Sequence, residues 1–163
     1  MFPFKKKSIP LLGVDISATA IKLLELTKTG NTYRVESYAA EALPANSVVD
    51  KNIVDIEPGE VVAKAVKKSG TKLKTAAAAV AGSSVITKVI EMPADISDAD
   101  MESQIQIEAD QYIPFPLEEV ALDFEILGIN EDNPDRVNVM LAASRIDNVD
   151  NRIAALELGG VLA

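Results

Sequence analysis

The sequence predicts an α+β fold. Apolar, β-branched runs at 11–17, 20–28 and 32–43 follow one another closely enough to form an antiparallel meander. The stretch EPGEVVAKAVKKSG at 57–70 has the period and terminal residues of a helix. From residue 83 onward the order is strand, helix, strand, strand, helix, which puts a sheet on one side and helices on the other.

Composition excludes several kinds of chemistry. With 163 residues, 48% of them hydrophobic and 25% charged, the chain can bury a sizeable core; aromatics are only 4%, so that core is aliphatic. A net charge of −9, from 16 basic and 25 acidic residues, argues against a nucleic-acid partner. The absence of Cys and His rules out disulfides, thiol chemistry and Cys/His zinc sites, and removes the commonest general base. No apolar run approaches the ~20 residues that cross a bilayer. The opening MFPFKKKSIPLLGV sets lysines before an apolar segment, but Pro10 and Asp15 interrupt it. A cytoplasmic chain with a solvated tail is expected, with Phe2, Phe4 and Lys5–Lys7 as a possible contact with an anionic membrane.

The elements follow in order. After two strands, Thr29–Asn31 make a turn, and 32–43 alternates Tyr33, Val35, Ser37 and Ala39 against Arg34, Glu36 and Tyr38. Residues 44–56 are expected to be a polar surface loop. In the helix at 57–70, Pro58 suits the first turn and Val61, Val62, Ala65 and Val66 make one face. Lys67 and Lys68 favour the negative end of the helix dipole, and Gly70 suits the exit. Residues 75–82, TAAAAVAG, fit helix by propensity, but a short uncharged run ending in Gly82-Ser83 is better taken as a central strand covered on both faces. A strand follows to Pro93, with Ile86, Lys88 and Ile90 opposite Val85, Thr87 and Val89. Ser97 and Asp100 make a capping pair for a helix striped by Met101, Ile105, Ala109 and Tyr112. Strands at 120–129 and 136–144 flank an NEDNPD turn, and Asp147 is the expected cap of a last helix ending at Gly159-Gly160. The GGVLA ending stops as an apolar segment begins, as a fragment cut before another strand would.

Two motifs carry candidate chemistry. Asp15, at a strand end before the small residues Ser17, Ala18, Thr19 and Ala20, is placed either to hold a hydrated Mg²⁺ beside a phosphate or merely to punctuate a hairpin. Lys22 adds positive charge nearby. The corner QIQIEADQYIPFP at 104–116 either closes the core under a helix end or walls a groove for an apolar peptide. The pairs Glu118-Glu119 and Glu131-Asp132 lie in turn-like sequence and are taken as solvated surface.

Taken together, LLGVDISATAIKLLEL, KNI at 51–53, AVAGSSVITKVIEMP and IEADQYIPFPLEEVALDFEILG resemble the PilM family. These are cytoplasmic, actin-like proteins, similar to FtsA, of the type IV pilus machinery behind twitching motility. The resemblance covers nearly the whole chain, and IEADQYIPFPLEEV is its most specific part. It implies a longer, four-subdomain protein. This chain would be an incomplete actin-like first lobe, with 1–82 as the opening part of subdomain 1A and 83–163 as the inserted subdomain 1C.

The resemblance also implies ATP and Mg in the longer protein, with Asp15, Ser17, Ala18 and Thr19 as the first phosphate segment. Actin-like proteins commonly carry Gly where this chain has Ser17. The other nucleotide segments fall beyond residue 163, so no bound cofactor, no metal ligand set and no catalytic residue is expected in this chain. The implied partner is the cytoplasmic N-terminal tail of the inner-membrane protein PilN, held in a groove between 1A and 1C. Inference from the small-residue strand and the IPFP corner, rather than from motif positions, offers Ala78, Val80, Ser84, Val85, Ile86, Thr87, Lys88, Ile113 and Phe115 as its contacts. Other inner-membrane pilus alignment proteins and a second copy of the chain are further expected partners, with a place at the inner membrane held through them. The expected function is thus a non-enzymatic scaffold or adaptor; the alternative is a nucleotide-dependent, ATP-binding or hydrolysing protein.

Overall fold

The computed structural model describes residues 10–49, 52–53 and 57–163. Phe2, Phe4 and Lys5–Lys7, and Asp50 and Lys51 of the expected loop, lie outside the described residues. The fold is mixed α+β, and the chain divides into two compact units. One takes the chain as far as Ala79 together with Asp150–Ala163; the other is Val80–Val149. The stretch 83–163 is thus shared between the two units, Asp150–Ala163 grouping with the first.

In the first unit, β1 (Leu12–Ile16), β2 (Ala20–Thr29) and β3 (Thr32–Ala42) form the antiparallel meander that the alternation predicts. The β2–β3 turn places Gly30 at φ 61, a left-handed conformation that glycine adopts without Cβ strain. β6 (Ala76–Ala78) adds in parallel to β1, giving the order β3-β2-β1-β6. Alternate residues Leu12, Val14, Ile21 and Leu23 are buried, while Gly13, Asp15, Lys22 and Leu24 stand on the other face. Helix α1 (Glu57–Ser69) covers the buried face with Val61, Val62 and Ala65. It exits through Gly70 at φ 70, the expected C-terminal glycine. The returning segment contributes Ala155, Leu156 and Val161 to the same core.

Two expectations in this unit change. The surface loop at 44–56 contains a minimal hairpin of β4 (Val48–Val49) and β5 (Asn52–Ile53), and Ser47, Val48 and Ile53 are buried. Strands of two residues are too short to show a period, so only the burial of their apolar side chains reveals them. The alanine strand β6 is not covered on both faces, since Ala77 and Ala78 are exposed. Beyond β1 its neighbour is a single parallel bridge between Thr75 and Leu162. Alanine methyls remove little apolar area from water, so they do not compel a cover.

The second unit is a three-stranded antiparallel sheet, β7 (Ile86–Pro93), β8 (Val120–Ile129) and β9 (Arg136–Arg145), in the order β7-β9-β8. One face packs Ile90, Met92, Val139 and Leu141 against Met101, Ile105 and Ala109 of α2 (Asp98–Ala109). Ser97 caps α2 as predicted: its hydroxyl oxygen accepts from the Asp100 amide at 3.2 Å and the hydroxyl donates to the Asp100 carboxylate at 2.7 Å. The β8–β9 turn is organised by buried Asn130, whose side-chain oxygen accepts from the Asp132 and Asn133 amides. Helix α3 (Ile146–Leu158) follows β9 directly, so Asp147 lies in its first turn and not at the expected cap. Among the described residues, no helix is long and apolar enough to cross a membrane.

Candidate functional site

The turn between β1 and β2 is closed by Ser17, whose amide and hydroxyl both donate to the Ala20 carbonyl, at 3.0 and 2.8 Å. Ala18 and Thr19 are exposed at its tip. Asp15 and Lys22 are cross-strand partners in register, and the Lys22 ammonium donates to the Asp15 carboxylate at 3.2 Å. A shallow hollow of about 500 Å³ begins at this pair and runs over Gly13 and Leu24 to Ala77, Ala78 and Ala79. Gly13 keeps it low: a Cβ there would stand 3.4 Å from the Leu24 carbonyl oxygen. The hollow therefore brings Asp15 of the expected phosphate segment together with Ala78, the first expected peptide contact, whereas Ser17, Ala18 and Thr19 do not line it. Among the described residues, no group of three or more His, Cys, Asp or Glu is placed to hold a metal. One carboxylate with an ammonium beside it fits contact with a phosphate oxygen better than a self-contained metal site.

The remaining expected contacts belong to the second unit. Val80 is half-buried. Ser84 and Val85 are half-buried beside the single helical turn Gly82–Ser84, and the Ser84 carbonyl accepts from the Ser144 hydroxyl at 2.9 Å. Ile86 packs against the second core, in which Ile113 is buried, so these two hold the unit together. Thr87, Lys88 and Val89 are exposed along β7, an edge strand of this sheet among the described residues. Phe115 is also exposed, with the Arg145 guanidinium 5.9 Å from its ring centre. At the IPFP corner, then, Ile113 closes the core and Phe115 faces outward.

Sequence reasoning included Tyr112 in the candidate groove corner at 104–116 without choosing it as a contact, and it missed Arg152. Tyr112, placed in the apolar stripe of the helix, lies past the end of α2 and is exposed, with the Lys88 ammonium 4.9 Å from its ring centre. It joins Val89, Glu91, Gln104, Glu108 and Arg136 around a cleft of about 370 Å³ along β7. The prolines at 114 and 116 signalled the helix end, and hence the change of direction that frees this ring. Arg152 is buried, and its Nε donates to the Ala79 carbonyl at 3.0 Å. Burial pushes its guanidinium pKa down from the ordinary value. A lone arginine among the polar positions of a predicted helix gave no sign of this.

Comparison with known proteins adds a family and a structure. The family model described as type IV pilus assembly protein PilM matches residues 13–163. A solved structure of a PilM-PilN type IV pilus biogenesis complex is similar to this chain at a TM-score of 0.81 and 27% identity. The match covers 94% of this chain and 46% of that chain, so the sequence spans about half the length of the relative.

Proposed function

Because this chain belongs to the type IV pilus assembly protein PilM family, we propose that it serves pilus assembly as a non-catalytic adaptor, binding an extended segment of PilN. The likeness to the PilM-PilN complex supports that partner. The observation that carries the reading is β7, an edge strand with Thr87, Lys88 and Val89 exposed beside the Tyr112 ring. An open strand edge offers unpaired backbone groups, and alternate side chains beside it give specificity, which is how sheets capture extended peptides. Val85–Lys88, Tyr112 and Phe115 are the contacts of this reading, all within the second unit. The work is done in the cytoplasm at the face of the inner membrane, with attachment through PilN and its neighbours.

Calorimetric titration with a synthetic peptide of the PilN cytoplasmic N-terminus tests it. Saturable binding is expected, and Lys88→Ala together with Tyr112→Ala should weaken it about tenfold or more, as for exposed anchors of a peptide interface. A full-affinity double variant would sink the assignment to β7.

A second reading, nucleotide binding through Asp15, Ser17, Ala18 and Thr19, draws on the Asp15–Lys22 pair beside an exposed small-residue tip. Mg-ATP would find Lys22 for a phosphate oxygen and Asp15 for its hydrated metal; the remaining nucleotide contacts are sought in the longer protein. A parallel titration of this chain with Mg-ATP is expected to give no saturation.

A further inference from the structure

We propose that the lysine-bearing end of α1 and the loop after it form a docking face for the anionic surface of a lipid bilayer. Between Val61 and Ile90 there is no Asp or Glu at all, in a chain whose net charge is −9. The same stretch holds Lys64, Lys67, Lys68, Lys72 and Lys74 within the first unit, all exposed. Lys64 and Lys67 fall at i and i+3 on the exposed side of α1, while Lys68, seven residues after buried Val61, flanks the covered side and reaches Glu41. The loop carrying Lys72 and Lys74 is held in shape. The Thr71 hydroxyl donates to Glu25 at 2.6 Å and accepts from the Leu73 amide at 3.2 Å, while Leu73 packs on the first core. Exposed Lys72 and Lys74 therefore flank an anchored residue.

The nearby acids leave this charge largely unanswered. Glu41 accepts from Lys68 at 2.6 Å, and Glu25 is engaged by the Thr71 and Ser37 hydroxyls. Glu60 lies one turn before Lys64 on α1 and makes no ion pair with it. Lys64, Lys67, Lys72 and Lys74 have no ion-pair partner among the described residues.

The chemistry favours a lipid surface over a nucleic acid. All five cations are lysines, compact point charges suited to a diffuse negative surface; no arginine fork or aromatic platform accompanies them. A planar surface meets one face only, whereas a long polyanion would also run past the acidic remainder of the chain. The face shares no residue with the β7 peptide reading, so neither inference depends on the other.

Co-sedimentation of the full chain with vesicles tests the proposal. Vesicles of phosphatidylcholine with about one third phosphatidylglycerol should bind it, pure phosphatidylcholine should not, and binding should fall as salt rises. Each of Lys64→Gln, Lys67→Gln, Lys72→Gln and Lys74→Gln should lower partitioning about fivefold. The quadruple Gln variant, with Lys5–Lys7 unchanged, should stay in the supernatant, and the quadruple Lys→Arg variant should still pellet, which separates lost charge from lost fold. The proposal is overturned if the chain ignores the anionic vesicles or binds the neutral ones as well. It is equally overturned if the Gln variant binds undiminished, or if duplex DNA captures the chain at lower concentration than the vesicles do.

Discussion

Gly159 follows the last turn of α3 and lies against α1, where a Cβ would overlap the Val62 side chain and stand 3.1 Å from the Leu156 carbonyl oxygen. Gly59 makes the reciprocal approach from α1, with its Cβ position 2.6 Å from the Cβ of Leu158. Gly159→Ala should therefore destabilise the chain by about 1–3 kcal/mol through overpacking, read as a lowered urea midpoint at unchanged slope. Glu36 makes a different point. It accepts from the Thr27 hydroxyl and from Arg34, and these bonds hold its carboxyl below the ordinary value of 4.5. A depressed folded-state pKa means a contribution present above the unfolded value and lost as pH falls through the folded one. Glu36→Gln should lower Tm slightly at neutral pH, and the gap should close on acidification below about 4.5; a gap that widens would contradict the bonding.

The elements were legible wherever sequence period and terminal chemistry agreed. β1 to β3 declared themselves by alternation, α1 by Pro58 and Gly70, and α2 by its capping pair. Ser97→Ala should cost about 1 kcal/mol, since it leaves the Asp100 amide without its acceptor, and a thermal melt of the variant reads that directly. Legibility failed where an element is defined by its neighbours. The β4–β5 hairpin has no period. β6 carries only methyl groups, whose spacing says nothing of which sides are covered. Arg152 follows the helical pattern of α3 as any exposed arginine would, and its burial depends on the distant Ala79 carbonyl. The candidate site divides the same way. Asp15 and the strand ending at Pro93 were visible as motifs, though that strand starts at Ile86 and not at residue 83, whereas the Lys22 partnership in register and the Lys88–Tyr112 contact exist only once strands pair and α2 ends.

Across the whole molecule, each unit holds its own apolar core, and the cores differ in how the chain supplies them. The second is drawn from a continuous stretch, Val80–Val149. The first needs Ala155, Leu156 and Val161 from the far end of the chain. A chain ended after Val149 should accordingly keep dispersed methyl signals for Ile105, Val139 and Leu141, while those of Leu12, Ile21 and Val62 collapse. Equal loss in both groups would show that the second core does not stand by itself.

The divided first unit also bears on the order of events during synthesis. A ribosome releases Leu12, Ile21 and Leu23 early, yet the residues that complete their core emerge only after the whole of Val80–Val149 has been made. At about 5–20 residues per second, several seconds pass in which the β1–β3 meander is out of the exit tunnel with its apolar face unfinished. The later-made unit can thus mature first and the earlier-made one last. That interval, more than any weakness of the finished fold, is when this chain is most open to capture by chaperones or by another copy of itself.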